Sequence, residues 1–182
     1  VKEPENRRVE FHYEGGLSDF VAYLNQEKNP VSEIISFEGE REGVRLRVAI
    51  QYTDSYNENL FSFVNNIPTA EGGSHETGFK TAVTKAFNDY ARRIGLLKEK
   101  DNNLSGEDFR EGMTAVIAAN VRNPQFEGQT KGRLGNTEVK PIVESLCVEK
   151  MSLYLDDLKH QDTAQRIVEK AVQAARVREA AR

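Results

Sequence analysis

One cysteine in 182 residues, Cys147, leaves nothing for an internal disulfide framework and too few thiols for a Cys-rich zinc site. A lone thiol suits a reducing cytosol. Long apolar runs are also missing: no stretch approaches the roughly 18 residues of a membrane span, and no signal-peptide core opens the chain. The expectation is a cytoplasmic protein without a membrane partner. Nor is there an excess of positive charge, since 25 Lys and Arg stand against 29 Asp and Glu, a formal −4. A mildly acidic total argues against a protein that coats nucleic acid. The chain opens on Val1 and stops inside a helical pattern at Arg182, so a piece of a longer protein is expected.

Motifs that announce chemistry by spacing are equally thin. His12, His75 and His160 are scattered, and none sits four residues from another histidine with an intervening glutamate, so no metal site is expected and each reads as a surface or partly packed residue. A G-x-S-x-G elbow is absent, as are the Walker pattern and a G-x-G-x-x-G turn after a strand. Cys147 falls on an apolar helix stripe, where a thiol packs. As a complete enzyme the chain looks empty.

What is there reads as one α+β domain with a helical extension. Leu17, Phe20, Val21 and Leu24 fall at helical spacing, and Asn29-Pro30 ends that helix. Ile34 to Glu38 is a strand, and Glu42-Gly43 turns it into Val44 to Tyr52, whose strict alternation predicts a strand with one buried face. Leu60 to Val64 returns as a further strand, so a three-stranded antiparallel meander is expected. Gly72-Gly73 precedes a helix that Ser74 or Thr77 would cap, with Phe79, Ala82, Val83, Ala86, Phe87, Tyr90 and Ile94 on one stripe. Leu104 to Asp108 is a cap-and-turn signal, and Met113 to Val121 predicts a strand covered on both sides. A helix from about Thr137 tolerates Pro141 only in its first turn, and a last helix starts near Thr163. Charge is uneven: residues 75–100 hold six basic against three acidic side chains.

Between Arg122 and Asn136 lies a polar loop with the segment Gly128-Gln129-Thr130-Lys131-Gly132. Its glycines free the backbone, and an amide, a hydroxyl and an ammonium stand between them. Those groups suit a terminal phosphate that gains charge during phosphoryl transfer. Composition leaves two readings open, a mobile polar turn and a phosphate contact, and spacing does not choose.

Gly128-Gln129-Thr130-Lys131 resembles the QTK loop of the transducer domain in bacterial type IIA topoisomerases, the DNA gyrase B and topoisomerase IV B subunits. His12-Tyr13-Glu14-Gly15-Gly16, Asn65-Asn66-Ile67-Pro68, Gly72-Gly73-Ser74-His75-Glu76, Gly78-Phe79, Asp108-Phe109-Arg110-Glu111-Gly112 and the closing Ala174 to Arg182 agree in order, so the resemblance covers nearly the whole chain. It implies a ribosomal protein S5 domain 2-like fold with a left-handed βαβ crossover over residues 1–160. Residues 161–182 would form a helix leading toward a cleavage (TOPRIM) domain. It further implies ATP and Mg²⁺ held mainly by a neighbouring GHKL ATPase domain, with Gln129 and Lys131 reaching the γ-phosphate and Lys131 as the catalytic contact. Two B-type subunits would clamp on double-stranded DNA, with an A-type subunit as the further partner.

The family also lines its DNA cavity with positive side chains, one of them an arginine at the place of Lys80. The resemblance therefore implies DNA-facing roles for Lys80 and Lys85, with lysine lacking the planar fork of arginine. Lys85, Arg92 and Arg93 also read as solvated charges. The alternative function is a non-catalytic nucleic-acid-binding module of the same fold, using the basic helix.

Overall fold

The computed structural model describes residues 16–128 and 132–181; His12, Tyr13, Glu14 and Gly15 of the first family motif lie outside them. In chain order the elements are α1 (Leu17–Leu24), β1 (Ile35–Arg41), β2 (Val44–Tyr52), β3 (Asn59–Val64), β4 (Ile67–Pro68), α2 (Ser74–Arg93), α3 (Gly106–Arg110), β5 (Met113–Asn120), β6 (Phe126–Glu127), β7 (Arg133–Leu134), α4 (Val139–Asp156) and α5 (Gln161–Ala180). A short 3₁₀ turn, Leu158–His160, joins the last two helices.

Alternation in β2 and the near-complete burial of β5 decide the sheet. Glu42 and Gly43 both take positive φ, 50° and 82°, the backbone of a two-residue hairpin, and they set β1 against β2 from Ile35↔Ile50 to Arg41↔Val44. The expected meander stops there. β3 does not pair with β2; β5 inserts between them, antiparallel to β2 and parallel to β3, and the strand order is β1-β2-β5-β3-β4. Met113 to Ala119 are all buried, so the strand needs cover on both faces, which the helix layers on the two sides of the sheet provide at its centre. The link from β2 to β3 is held at the entrance to β5, where Thr53 N donates to Gly112 O and Gly112 N to Asn57 O.

The two faces of the sheet carry unequal layers. Met113, Ala115, Ile117 and Ala119 of β5, with Leu46, Val48 and Ile50 of β2, face a large core made by α2, α4 and α5. Val116, Ala118, Phe63 and Ala49 face α1, whose Leu17, Phe20 and Val21 close a smaller layer. The pattern read as one buried face in β2 is therefore corrected at Ala49, 0 % exposed, because α1 covers the far side. In the large layer Phe87 stacks on Phe109 at 5.4 Å and meets the Tyr52 edge at 6.3 Å, while the Tyr52 hydroxyl donates to Phe109 O at 2.6 Å. Burial pushes that phenol's pKa up.

Helices α2 and α4 cross closely at Gly78, where a Cβ would stand 2.6 Å from Lys140 O. Pro141 sits in the first turn of α4, as its missing N–H requires. Ser105 caps α3 in a capping box with Asp108, as its spacing suggested. α5 buries Ile167, Val168, Ala171 and Ala174. It is also pinned by cations: Arg166 donates to Val31 O, Lys170 to Ser55 O and Glu111 O, and Arg178 pairs with the buried Asp108.

Ile117, fully buried at the centre of the large layer, is a direct test of this layering. Ile117→Ala is expected to lower stability by about 3–4 kcal/mol in urea unfolding, whereas Arg45→Ala on the exposed side of β2 stays within about 0.5 kcal/mol.

Candidate functional site

The loop singled out by its glycines stands on a base with unusually close backbone packing. The stretch expected as plain loop contains a short hairpin, β6 with β7, paired Phe126↔Leu134 and Glu127↔Arg133. Gln129, Thr130 and Lys131 lie outside the described residues, so the base is defined by the residues on either side.

Three sets of bonds hold that base. Asn136, almost fully buried, accepts from Gln125 N through Oδ1, while its Nδ2 donates to Asn123 O at 3.1 Å and Glu138 Oε2 at 2.9 Å. One amide thus spans both feet of the loop. Gly135 N donates to Gln125 O at 2.7 Å. On the other side, Glu71 N donates to Gly132 O at 2.8 Å and Leu134 N to Gly72 O at 3.1 Å, and Gly73 forms a parallel bridge with Leu134. Gly72 and Gly73 have φ of 78° and 136°. A Cβ on Gly73 would lie 2.5 Å from Leu134 N and 2.6 Å from its oxygen, so glycine is required by space as well as by conformation.

Gly73 is also the N-cap of α2. The expectation that Ser74 or Thr77 caps this helix is corrected: no side chain caps it, Ser74 Oγ finds no partner among the described residues, and Thr77 Oγ1 donates to Gly73 O at 3.1 Å. The position a capping side chain would occupy is filled by the Leu134 backbone, which excludes anything larger than glycine.

Beneath this contact runs a polar network that residue order did not reveal. His75, expected as a surface or partly packed residue, is 0 % exposed. Its Nε2 lies 3.0 Å from Thr69 Oγ1, Thr69 Oγ1 lies 2.8 Å from Ser62 Oγ, and Ser62 Oγ donates to Glu76 Oε2 at 2.9 Å. Followed back from the carboxylate, which only accepts, each hydroxyl donates toward Glu76 and His75 Nε2 carries the hydrogen. Nδ1 is left as a buried lone pair with no partner among the described residues. Protonating it would bury an unpaired N–H, and burial accordingly lowers the imidazole pKa from 6.5 to about 4. The one available signal was the adjoining glycine pair, which brings a backbone over the start of the helix.

The basic residues of α2 divide. Lys80 Nζ lies 3.3 Å from Glu76 Oε1 and 4.0 Å from Glu58 Oε2. Arg92 is not a solvated charge, since it donates to Lys98 O, Asp101 O and Asn103 Oδ1 and so closes the turn after α2. Arg93 pairs with Asp156 at 2.6 Å over the Tyr90 ring. Lys85 is exposed. Cys147 is buried and its thiol pKa pushed up, so it packs. Among the described residues no group of three or more His, Cys, Asp or Glu could hold a metal ion, and no helix is long and apolar enough to cross a membrane.

A mixed sheet with helices, and a glycine-bordered loop fastened to the start of a 20-residue core helix, define the class of domain. The family model described as DNA gyrase B matches residues 16–182, and the chain belongs to that family. The DNA topoisomerase 4 B subunit of Bacillus subtilis is 48% identical over 184 residues, covering 100% of this chain and 28% of the relative. The DNA gyrase B subunit of Clostridium acetobutylicum is 53% identical over 174 residues, 94% of this chain and 27% of the relative. The chain thus spans little more than a quarter of these relatives. Among solved structures, the 43K ATPase domain of Thermus thermophilus gyrase B, in complex with an aminocoumarin, superposes with a TM-score of 0.84 at 35% identity, covering 92% of this chain and 44% of that one. The topoisomerase IV ATP-binding domain of Francisella tularensis gives 0.75 at 26% identity, covering 91% and 44%.

Two substitutions test the site. Gly73→Ala is expected to cost about 2–4 kcal/mol and to speed amide exchange at Leu134, because strain and overlap fall on the same atom. For His75 the unfolded chain takes up a proton near pH 6.5 and the folded chain only near 4. Stability is therefore highest above that window and falls with pH through it, by about 3 kcal/mol at its foot. Melts from pH 7 to 4 should show the parent losing more stability than His75→Gln, whose amide does not titrate.

Proposed function

We propose that this chain is the transducer module of an ATP-dependent type IIA DNA topoisomerase, over residues 1–160, with 161–182 leading toward the cleavage domain. In this reading its fold is of the ribosomal S5 domain 2 type, and the crossover from β3 to the parallel β5 is left-handed, against the usual rule. The whole enzyme, an isomerase of the cytoplasm, binds ATP and Mg²⁺ in a neighbouring GHKL domain and works on double-stranded DNA, with a second B-type subunit and an A-type subunit as partners. Gln129 and Lys131 contact the γ-phosphate, and Lys131 stabilises charge there; Mg²⁺ is assigned to the neighbouring domain, where the ATP site is. Lys80 and Lys85 face the DNA.

The observation that carries this reading is the fastening of Gly132 and Leu134 to Gly72 and Gly73 at the start of α2. A loop drawn toward a nucleotide pulls on a 20-residue helix packed against α4, and a close-packed core moves as a body instead of absorbing the pull. The nucleic-acid-module alternative loses support from α2, because Arg92 and Arg93 are taken up by partners within the chain.

Lys131→Ala in the protein joined to its ATPase domain is the test. ATP turnover is expected to fall at least about tenfold, the worth of one charge-assisted contact; unchanged turnover removes the role given to Lys131.

A further inference from the structure

We propose that Glu58, at the entrance to β3, is a charge mask that holds down the affinity of the α2 groove for a phosphodiester backbone. The inference rests on the DNA-facing reading above and adds its regulation. A groove of about 410 Å³ runs along α2, with Lys80, Lys85 and Arg110 as its cations and the Thr81 side chain beside them. Thr84 and Asn88, which also line it, bond to Lys80 O, Thr84 O and Leu104 O, so they shape the groove without being free to bind. Its ligand chemistry is therefore set by the three cations, which suit an anionic backbone.

Two carboxylates oppose them, and they differ. Glu76 is built into the buried hydroxyl network through Ser62. Glu58 lies in the link between β2 and β3, and its ion-pair partners among the described residues are the two cations: Arg110 Nε at 3.2 Å and Lys80 Nζ at 4.0 Å. It neutralises both from outside the helix. Partly exposed ion pairs of this kind are weak, so a phosphate, which offers Arg110 two acceptor oxygens, displaces Glu58 at small cost. DNA therefore engages Lys85 first and recruits Lys80 and Arg110 only by displacing the mask.

The test is a titration of the 182-residue chain with a short labelled duplex across a range of salt. Glu58→Gln is expected to bind about fivefold tighter near 100 mM salt, with the slope of log K against log salt steeper by about one to two, roughly 0.9 per phosphate neutralised. Glu99→Gln, the same change in net charge in the exposed turn after α2, is expected to match the parent. In a Lys80→Gln, Arg110→Gln background the gain from Glu58→Gln should vanish. Equal affinity and slope for Glu58→Gln and parent overturn the proposal, as do an equal gain from Glu99→Gln and an absence of binding by both. If Glu58→Gln loses its cooperative melt, Glu58→Asp, which withdraws the charge by one methylene, is read against the same outcomes with a smaller expected gain. None of these results bears on Lys131, whose role is read from ATP turnover.

Discussion

The contact between the backbones of Gly73 and Leu134 is the constraint on which the remainder of the site depends. Two glycines with positive φ let one chain segment lie against another with no side chain between them. A helix start is thereby joined to the return strand of a loop, and the join has no slack. Asn136 ties the two feet of the loop together through three hydrogen bonds, so the width of the loop's base is set independently of what the loop carries. The same helix is held against α4 at Gly78, again by the lack of a Cβ. Loop, helix and core are therefore coupled at points where glycine removes compliance, the reverse of its usual role as a source of flexibility.

The polar groups under that contact extend the coupling to the surface. From His75 the chain of partners runs through Thr69 and Ser62 to Glu76, then to Lys80, Glu58 and Arg110. Its inner end is a neutral, fully buried imidazole and its outer end is a cationic groove. Interaction strength differs along it for a physical reason. The buried hydroxyl links are shielded from bulk solvent, whereas the outer ion pairs are screened and exchangeable. The inner part can keep geometry while the outer part changes partners.

Much of this is legible in residue order, and the failures share a cause. The alternation of β2, the stripe of α2, the mainly apolar run of β5 and the Ser105–Asp108 cap are local signals, and each element forms where its signal lies. The meander fails because adjacency in sequence is not adjacency in the sheet, and burial on both faces sends β5 to the centre. The side-chain cap expected on α2 fails because a tertiary contact at Gly73 takes the place that Ser74 would have filled. His75 looks exposed because polar residues surround it in sequence, and its burial depends on a return strand some sixty residues away. Arg92 and Arg93 are opaque for the same reason, their partners lying in the following turn and in α4.

The environment of position 80 suits a lysine. An ammonium is a compact point charge with three donors, so it can share itself between Glu76 at 3.3 Å and Glu58 at 4.0 Å without a preferred plane. A guanidinium would favour one carboxylate in a two-bond pairing and leave the other uncompensated, or turn its fork outward and bind phosphate more tightly. Lysine thus keeps the groove's charge divided between two acids, one fixed by the core and one on a surface link. In the proposed DNA-facing role, that division makes the affinity of the face adjustable by the position of a single carboxylate, with no change in the fold that carries it.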